Sequence, residues 1–156
     1  MLTPRTAAES AFLSRAVRQD TFGSPRGNCL EACYATLLGV PLAAVPDPRK
    51  ACAPKADSCA RGAIPARTPS IRSWLAREFS LAVVEGRGMP PGVLLAKDAP
   101  PLFWIASGLG PRGLNHAVVY GNSRLAWDPH PDDKGLVRVE QYKVLVPIGP
   151  LWAVWR

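Results

Sequence analysis

No uninterrupted apolar run in this 156-residue chain is long enough for a membrane span or a secretory signal core, and arginines at 5, 15 and 18 punctuate residues 1–20. The first twenty residues therefore read as a short amphipathic arm, and the expected location is cytoplasmic. Histidine is nearly missing. With two in the whole chain, imidazole chemistry can involve only His116 and His130. Cysteine is sparse as well, and in a cytoplasmic compartment the four residues Cys29, Cys33, Cys52 and Cys59 are expected to be thiols rather than bridges. Nor is there a dense basic run. Although 19 basic against 12 acidic residues give a net charge of +7, Arg61, Arg67, Arg72, Arg77 and Arg87 are dispersed among small and apolar residues. Such dispersal argues for a solvated basic surface over a nucleic-acid site, and is compatible with an acidic protein partner or substrate. No internal repeat is visible.

A hydrophobic content of 47% over this length matches one globular domain, 1–156, with a sizeable core. Its parts are an arm at 1–20 and a Pro/Ala/Arg-rich irregular loop at 46–69, where Cys52 and Cys59 could close a disulfide or stay as thiols. The periodicities are those of an α+β fold. Leu30, Ala32, Cys33, Tyr34, Leu37 and Leu38 have the spacing of a buried helix, ended by Gly39 and Pro41. Thr68-Pro69 has the order of an N-cap followed by a first-turn proline, and Ile71, Trp74, Leu75 and Phe79 mark one face of a second helix. Strands are expected at Leu81–Val84, Leu102–Ala106, in a hairpin from His116 to Asp128 turning at Gly121-Asn122-Ser123, at Leu136–Val139 and at Lys143–Pro147.

Three positions carry chemistry in that frame. Cys29 opens the first apolar helix after Gly27-Asn28, where free backbone N–H groups would face its sulfur and could receive a developing oxyanion. A thiol attacks a carbonyl as its thiolate, which a helix N-terminus and a nearby imidazolium both favour. His116 opens the apolar strand Ala117-Val118-Val119-Tyr120, and Asp128 ends the next strand. If Tyr120 pairs with Arg124, His116 falls opposite Asp128, whose carboxylate would orient the imidazole.

The order Cys, His, Asp, with the cysteine on an early helix and its partners on later strands, resembles the papain-like superfamily of cysteine peptidases and amide hydrolases. His116-Ala117-Val118-Val119 with Asp128-Pro129 is similar to the pattern of the bacteriocin-processing peptidase group. Gly27-Asn28-Cys29-Leu30-Glu31-Ala32-Cys33 with Asp128-Pro129-His130-Pro131 is similar to small proteins of bacteria and their phages. The resemblance spans roughly positions 18 to 137, most of the chain. It implies a papain-like fold in which the Cys29 helix packs on a mostly antiparallel sheet with the cysteine facing its edge. It also implies Cys29 as nucleophile, His116 as general base and acid, Asp128 as orienter and Gln19 as oxyanion-hole donor. Asn28, Trp104, Asn115 and His130 are expected to line the substrate cleft. No cofactor or metal is implied. The substrate would be a peptide or protein, cleaved at an amide, peptide or isopeptide bond, and acyl transfer to an amine would use the same residues.

Each residue has a plainer use. A cysteine in an apolar helix is more often core than catalyst, and Cys33, deeper in the helix, is read as core. Asp-Pro is commonly a turn, Gln19 could be an exposed residue ending the arm, and His130, fixed between two prolines, is the other candidate base. His116 is preferred because accurate sites sit on rigid elements. Cys29, Cys33, His116 and His130 could in principle hold zinc, but structural zinc sites use two short-spaced ligand pairs, which this sequence lacks. A glycine-rich run, Gly108 to Gly113, leads to His116 and could act as a lid or a connection. A non-catalytic module holding a peptide in the same cleft is the alternative to hydrolysis.

Overall fold

The computed structural model describes residues 7–23, 27–47, 70–90 and 101–149. The fold is α+β. Its elements in chain order are α1 (Ala7–Leu13), α2 (Cys29–Leu38), a 3-10 turn (Leu42–Ala44), α3 (Ile71–Phe79) and five strands. The strands are β1 (Leu81–Arg87), β2 (Phe103–Leu109), β3 (Asn115–Gly121), β4 (Arg124–Trp127) and β5 (Arg138–Pro147). They form one sheet in the order β1-β5-β2-β3-β4, with β5–β2, β2–β3 and β3–β4 antiparallel. By contacts the chain falls into two units. One comprises Met1–Val45 and Val83–Leu145, the other Pro46–Ala82 and Val146–Arg156.

In the first unit, α2 starts at Cys29 and ends where Gly39 takes φ 68°, a left-handed conformation that glycine adopts without strain. Ala32, Cys33 and Ala35 are fully buried, and α2 packs on the sheet chiefly against the interior strands β3 and β2. Small residues on this face let the helix approach the strands closely. Within the arm, α1 inserts Phe12, 1% exposed, whose ring stacks on Phe103 at 4.2 Å between centroids. Burial of such a ring stabilises by about 1.5–3 kcal/mol. On the sheet, Trp104, Ala106 and Val118 form a core cluster flanked by Leu102, Tyr120, Leu125, Val139 and Tyr142.

In the second unit, α3 is capped by Ser70, whose Oγ accepts the Ser73 N–H at 3.1 Å. The helix thus begins after Ser70 rather than at Pro69, because the serine hydroxyl supplies the cap; Thr68 and Pro69 themselves lie outside the described residues. Trp74 and Phe79 meet edge to face at 5.1 Å.

The segments Leu136–Val139 and Lys143–Pro147, expected as two strands, are one. β5 runs unbroken past a bulge at Glu140, since Ser107 pairs with Gln141 while Gly108 pairs with Val139. A Cβ on Gly108 would collide with the Arg138 carbonyl, so this close passage of β5 requires glycine. The hairpin β3–β4 also differs from expectation. Its turn has two residues, Asn122 and Ser123, with Asn122 at φ 53°, and the pairs are Gly121 with Arg124 and Tyr120 with Leu125, not Tyr120 with Arg124. Of the segment 46–69 expected as an irregular loop, residues 48–69, with Cys52 and Cys59, lie outside the described residues.

Candidate active site

Asp128 would face away from His116 if the tight hairpin continued regularly, because a two-residue turn pairs Ala117 with position 128 and side chains alternate between faces. A bulge changes this. Val119 pairs with Trp127 although Tyr120 pairs with Leu125, which leaves Ala126 as an extra residue and shifts the register by one. Leu125 and Trp127 then point to opposite faces, and Asp128 returns to the face of Val118 and His116. From there it reaches His116 diagonally, and its Oδ1 lies 2.7 Å from the ring Nε2.

The pair is enclosed. The His116 side chain is 6% exposed and that of Asp128 1%. A buried carboxylate needs donors for every lone pair it retains. Asp128 has them, as Oδ1 also accepts the His130 N–H at 2.8 Å and Oδ2 the Gly135 N–H at 2.7 Å. Burial pushes its carboxyl up, but the bond from His116 and the two backbone donors outweigh it and hold Asp128 below the usual carboxylate range. Burial likewise pulls His116 down, yet hydrogen bonds to Asp128 and to the Cys29 side chain raise it from 6.5 to about 9. Because Nε2 is taken by Asp128, the bond to Cys29 falls on Nδ1. The imidazole is therefore held cationic at neutral pH between a carboxylate and the sulfur.

Cys29 is the first residue of α2 and is half-buried. Asn28 occupies the N-cap position without capping, since its Oδ1 accepts the Thr21 N–H at 3.1 Å and its Nδ2 donates to Asp20 at 2.7 Å. This clamp ties Asn28 to Asp20 and Thr21 and leaves the first-turn N–H groups of α2 uncapped by that side chain. Cys33, one turn on, is fully buried, and burial first, then the charges at Cys29, Asp128 and Glu31, push its thiol well up. It remains a protonated core residue.

Cys29 and His116 open on a cleft of about 390 Å³. Gln19, Asn115 and His130 line it, together with Arg112 and the apolar Phe22 and Leu114. Gln19 is 7% exposed; one amide N–H donates to the Thr21 carbonyl at 3.1 Å, and its Oε1 is buried without a partner among the described residues. The ten-residue separation from Cys29 is spanned because the backbone turns back on itself, with the Asn28 N–H donating to the Thr21 carbonyl at 3.1 Å. Two expected cleft residues lie elsewhere. Trp104 is fully buried in the core on the sheet, where its Nε1 donates to the Asn122 carbonyl at 2.7 Å. Asn28 is absorbed in the loop clamp.

Two residues not singled out from the sequence hold this constellation. Arg18 donates from Nη1 to the carbonyls of Asp128 and His130 and to Asp133 Oδ1 at 3.2, 2.6 and 2.8 Å, with its guanidinium 4.3 Å from the Trp127 ring centre. The Gln19 N–H donates to the Pro129 carbonyl at 3.1 Å. Residues 18 and 19 thereby tie the cysteine loop to the loop bearing Asp128. Arg112 is the second, contacting His130 Nδ1 at 2.8 Å and Asp132 at 2.9 Å. Nothing local in the sequence marks either, as their partners are more than a dozen residues away.

Among the described residues, no three His, Cys, Asp or Glu side chains converge to hold a metal ion. None of the described helices is long and apolar enough to cross a membrane. No protein-family model matches this chain, and neither a curated protein nor a solved structure gives a match.

Proposed function

We propose that this chain is a cysteine hydrolase of papain-like type that cleaves an amide, peptide or isopeptide bond through an acyl-enzyme on Cys29. The observation that carries the reading is His116, hydrogen-bonded at once to the Asp128 carboxylate and to the Cys29 side chain, with Cys29 and His116 both lining one cleft. A structural histidine needs one partner on each nitrogen, but has no need of a half-buried thiol at a helix N-terminus as the second.

The steps follow from these positions. The Cys29 thiolate attacks the substrate carbonyl carbon, and the negative charge moves to the carbonyl oxygen. Backbone N–H groups at the start of α2 and the remaining Gln19 amide N–H supply donors for that oxyanion. The His116 imidazolium gives its Nδ1 proton to the leaving nitrogen as the C–N bond breaks, leaving a thioester on Cys29 and a neutral imidazole. Water then attacks the thioester while His116 takes its proton, releasing the acid and restoring the thiolate–imidazolium pair. Asp128 fixes the ring by its Nε2 throughout and stabilises its cationic form.

Alkylation by iodoacetamide with peptide mapping tests this. Cys29 should label at least about tenfold faster than the other three cysteines, and the advantage should vanish in His116→Ala. Equal slow labelling of all four cysteines would overturn the reading and favour a module that only binds in the cleft.

A further inference from the structure

The leaving group must lie beside His116, because that ring hands it a proton. What surrounds this side of the cleft is His130, edge-on to His116 with ring centres 6.2 Å apart, and beyond it Arg112. The His130 Nδ1 receives the Asp132 N–H at 3.1 Å and faces Arg112 Nη1, which can only donate, at 2.8 Å. Nδ1 is therefore the unprotonated nitrogen, and the ring proton sits on Nε2 as a donor. Burial first, and then the Arg112 charge, lower the pKa of His130 and keep it neutral. Arg112 uses only Nη1 for His130 and Asp132, so Nη2 and Nε have no partner among the described residues. No carboxylate side chain lines the cleft among the described residues, whereas Arg112, His130 and His116 all do.

We infer that the leaving-group side of the cleft is a carboxylate subsite, in which Arg112 and the Nε2–H of His130 select a leaving amine that carries a carboxylate close to its nitrogen. This rests on the cysteine hydrolase reading and names its substrate class. The chemistry is that of planar, charge-assisted recognition, a free guanidinium edge and a neutral N–H both donating to carboxylate oxygens. Two sources fit it, the α-carboxylate of a C-terminal residue and an Asp or Glu side chain next to the scissile bond. Phe22 and Leu114, 50% and 42% exposed at the same cleft, add apolar contact for the rest of the chain bound there.

Iodoacetate and iodoacetamide differ by a carboxylate against an amide and attack the same sulfur, so the ratio of their rates at Cys29 reads the subsite. The imidazolium of His116 favours iodoacetate in any case, which makes the change on Arg112→Gln the readout. The ratio should fall about tenfold in Arg112→Gln and again in His130→Phe, with both variants checked for an unchanged melting temperature. A ratio unmoved by Arg112→Gln, with Cys29 still labelled fastest by iodoacetamide, overturns the subsite and leaves the hydrolase reading standing. Loss of selective labelling at Cys29 in the unmodified protein overturns the hydrolase reading instead. Protection of Cys29 from iodoacetamide by alanylalanine assigns the subsite to an α-carboxylate. Protection by alanyl-aspartic α-amide, whose second residue carries only a side-chain carboxylate, assigns it to an acidic side chain, and protection by neither overturns it.

Discussion

Asp128 meets His116 at 2.7 Å across a bulged hairpin, one strand pair off the directly opposite position. The contact is diagonal, and it exists because Ala126 takes up an extra place in β4. A carboxylate placed this way is buried with three donors, so its removal exposes more than one unpaired group.

Asp128→Asn puts an NH2 where two of three surrounding donors point. There the His130 N–H and the histidine both lose their acceptor, and with the amide turned the other way the Gly135 N–H loses its own. The cost should be about 1–3 kcal/mol in stability, and the rate of acylation should drop by about 10²–10⁴ through loss of the histidine's orientation. Denaturant unfolding and Cys29 alkylation kinetics read the two separately.

Turnover should fall as pH rises through about 9, where His116 loses the proton it delivers to the leaving nitrogen. The same group sets a stability limb. Its folded value lies above its ordinary 6.5, so the stabilisation is fully present below pH 6.5 and disappears as pH rises through about 9. Asp128 has the opposite sign, since its folded value is below 3.8 and its contribution is lost only as pH falls through that lowered value. Melting temperature against pH should therefore decline on the alkaline side, and in His116→Gln this decline should flatten.

Gln19→Ala should lower the acylation rate by about 10²–10³ by removing an oxyanion donor. It should leave the alkaline limb near pH 9, because Gln19 does not touch the His116–Asp128 pair. Single-turnover kinetics over a pH range would show both, and a shifted alkaline limb would assign Gln19 a structural role.

Arg18→Lys keeps the charge but not the planar group that lies over Trp127 and reaches two carbonyls and Asp133 together. Loosening of the 128–133 loop should cost about 1–2 kcal/mol and speed amide exchange at His130 and Gly135, whose N–H groups hold Asp128. Hydrogen exchange at these two amides is the direct measurement.

Gly108→Ala places a methyl on the Arg138 carbonyl, which only backbone movement can relieve. It should destabilise by about 1–3 kcal/mol. Ser107→Ala, one residue away, has no such collision and serves as the control in thermal unfolding.

The local elements were readable because local physics sets them. An apolar 3.6 period with Gly39 after it marks α2 and places Cys29 at its start, and the β-prone run after His116 marks β3. Gly121-Asn122-Ser123 marks the turn. What failed lay one step beyond the neighbour level. The turn is one residue shorter than the local signal suggests, and two short apolar segments belong to one strand because nothing in a single strand announces a bulge at Glu140. Trp104 looked like a cleft residue by its position in the run toward His116, but burial on one or the other sheet face depends on register.

The sequence by itself determined which local elements carry the candidate groups, with Cys29 at a helix start, His116 at a strand start and Asp128 after a strand end. Tertiary structure alone decided that they meet. The bulge at Ala126 returns Asp128 to the face of His116, and Arg18 with Gln19 ties the loop before Cys29 to the loop after Asp128. Both depend on hydrogen bonds between residues far apart in the chain, whose energy is available only once the sheet has closed, and no periodicity along the chain encodes that.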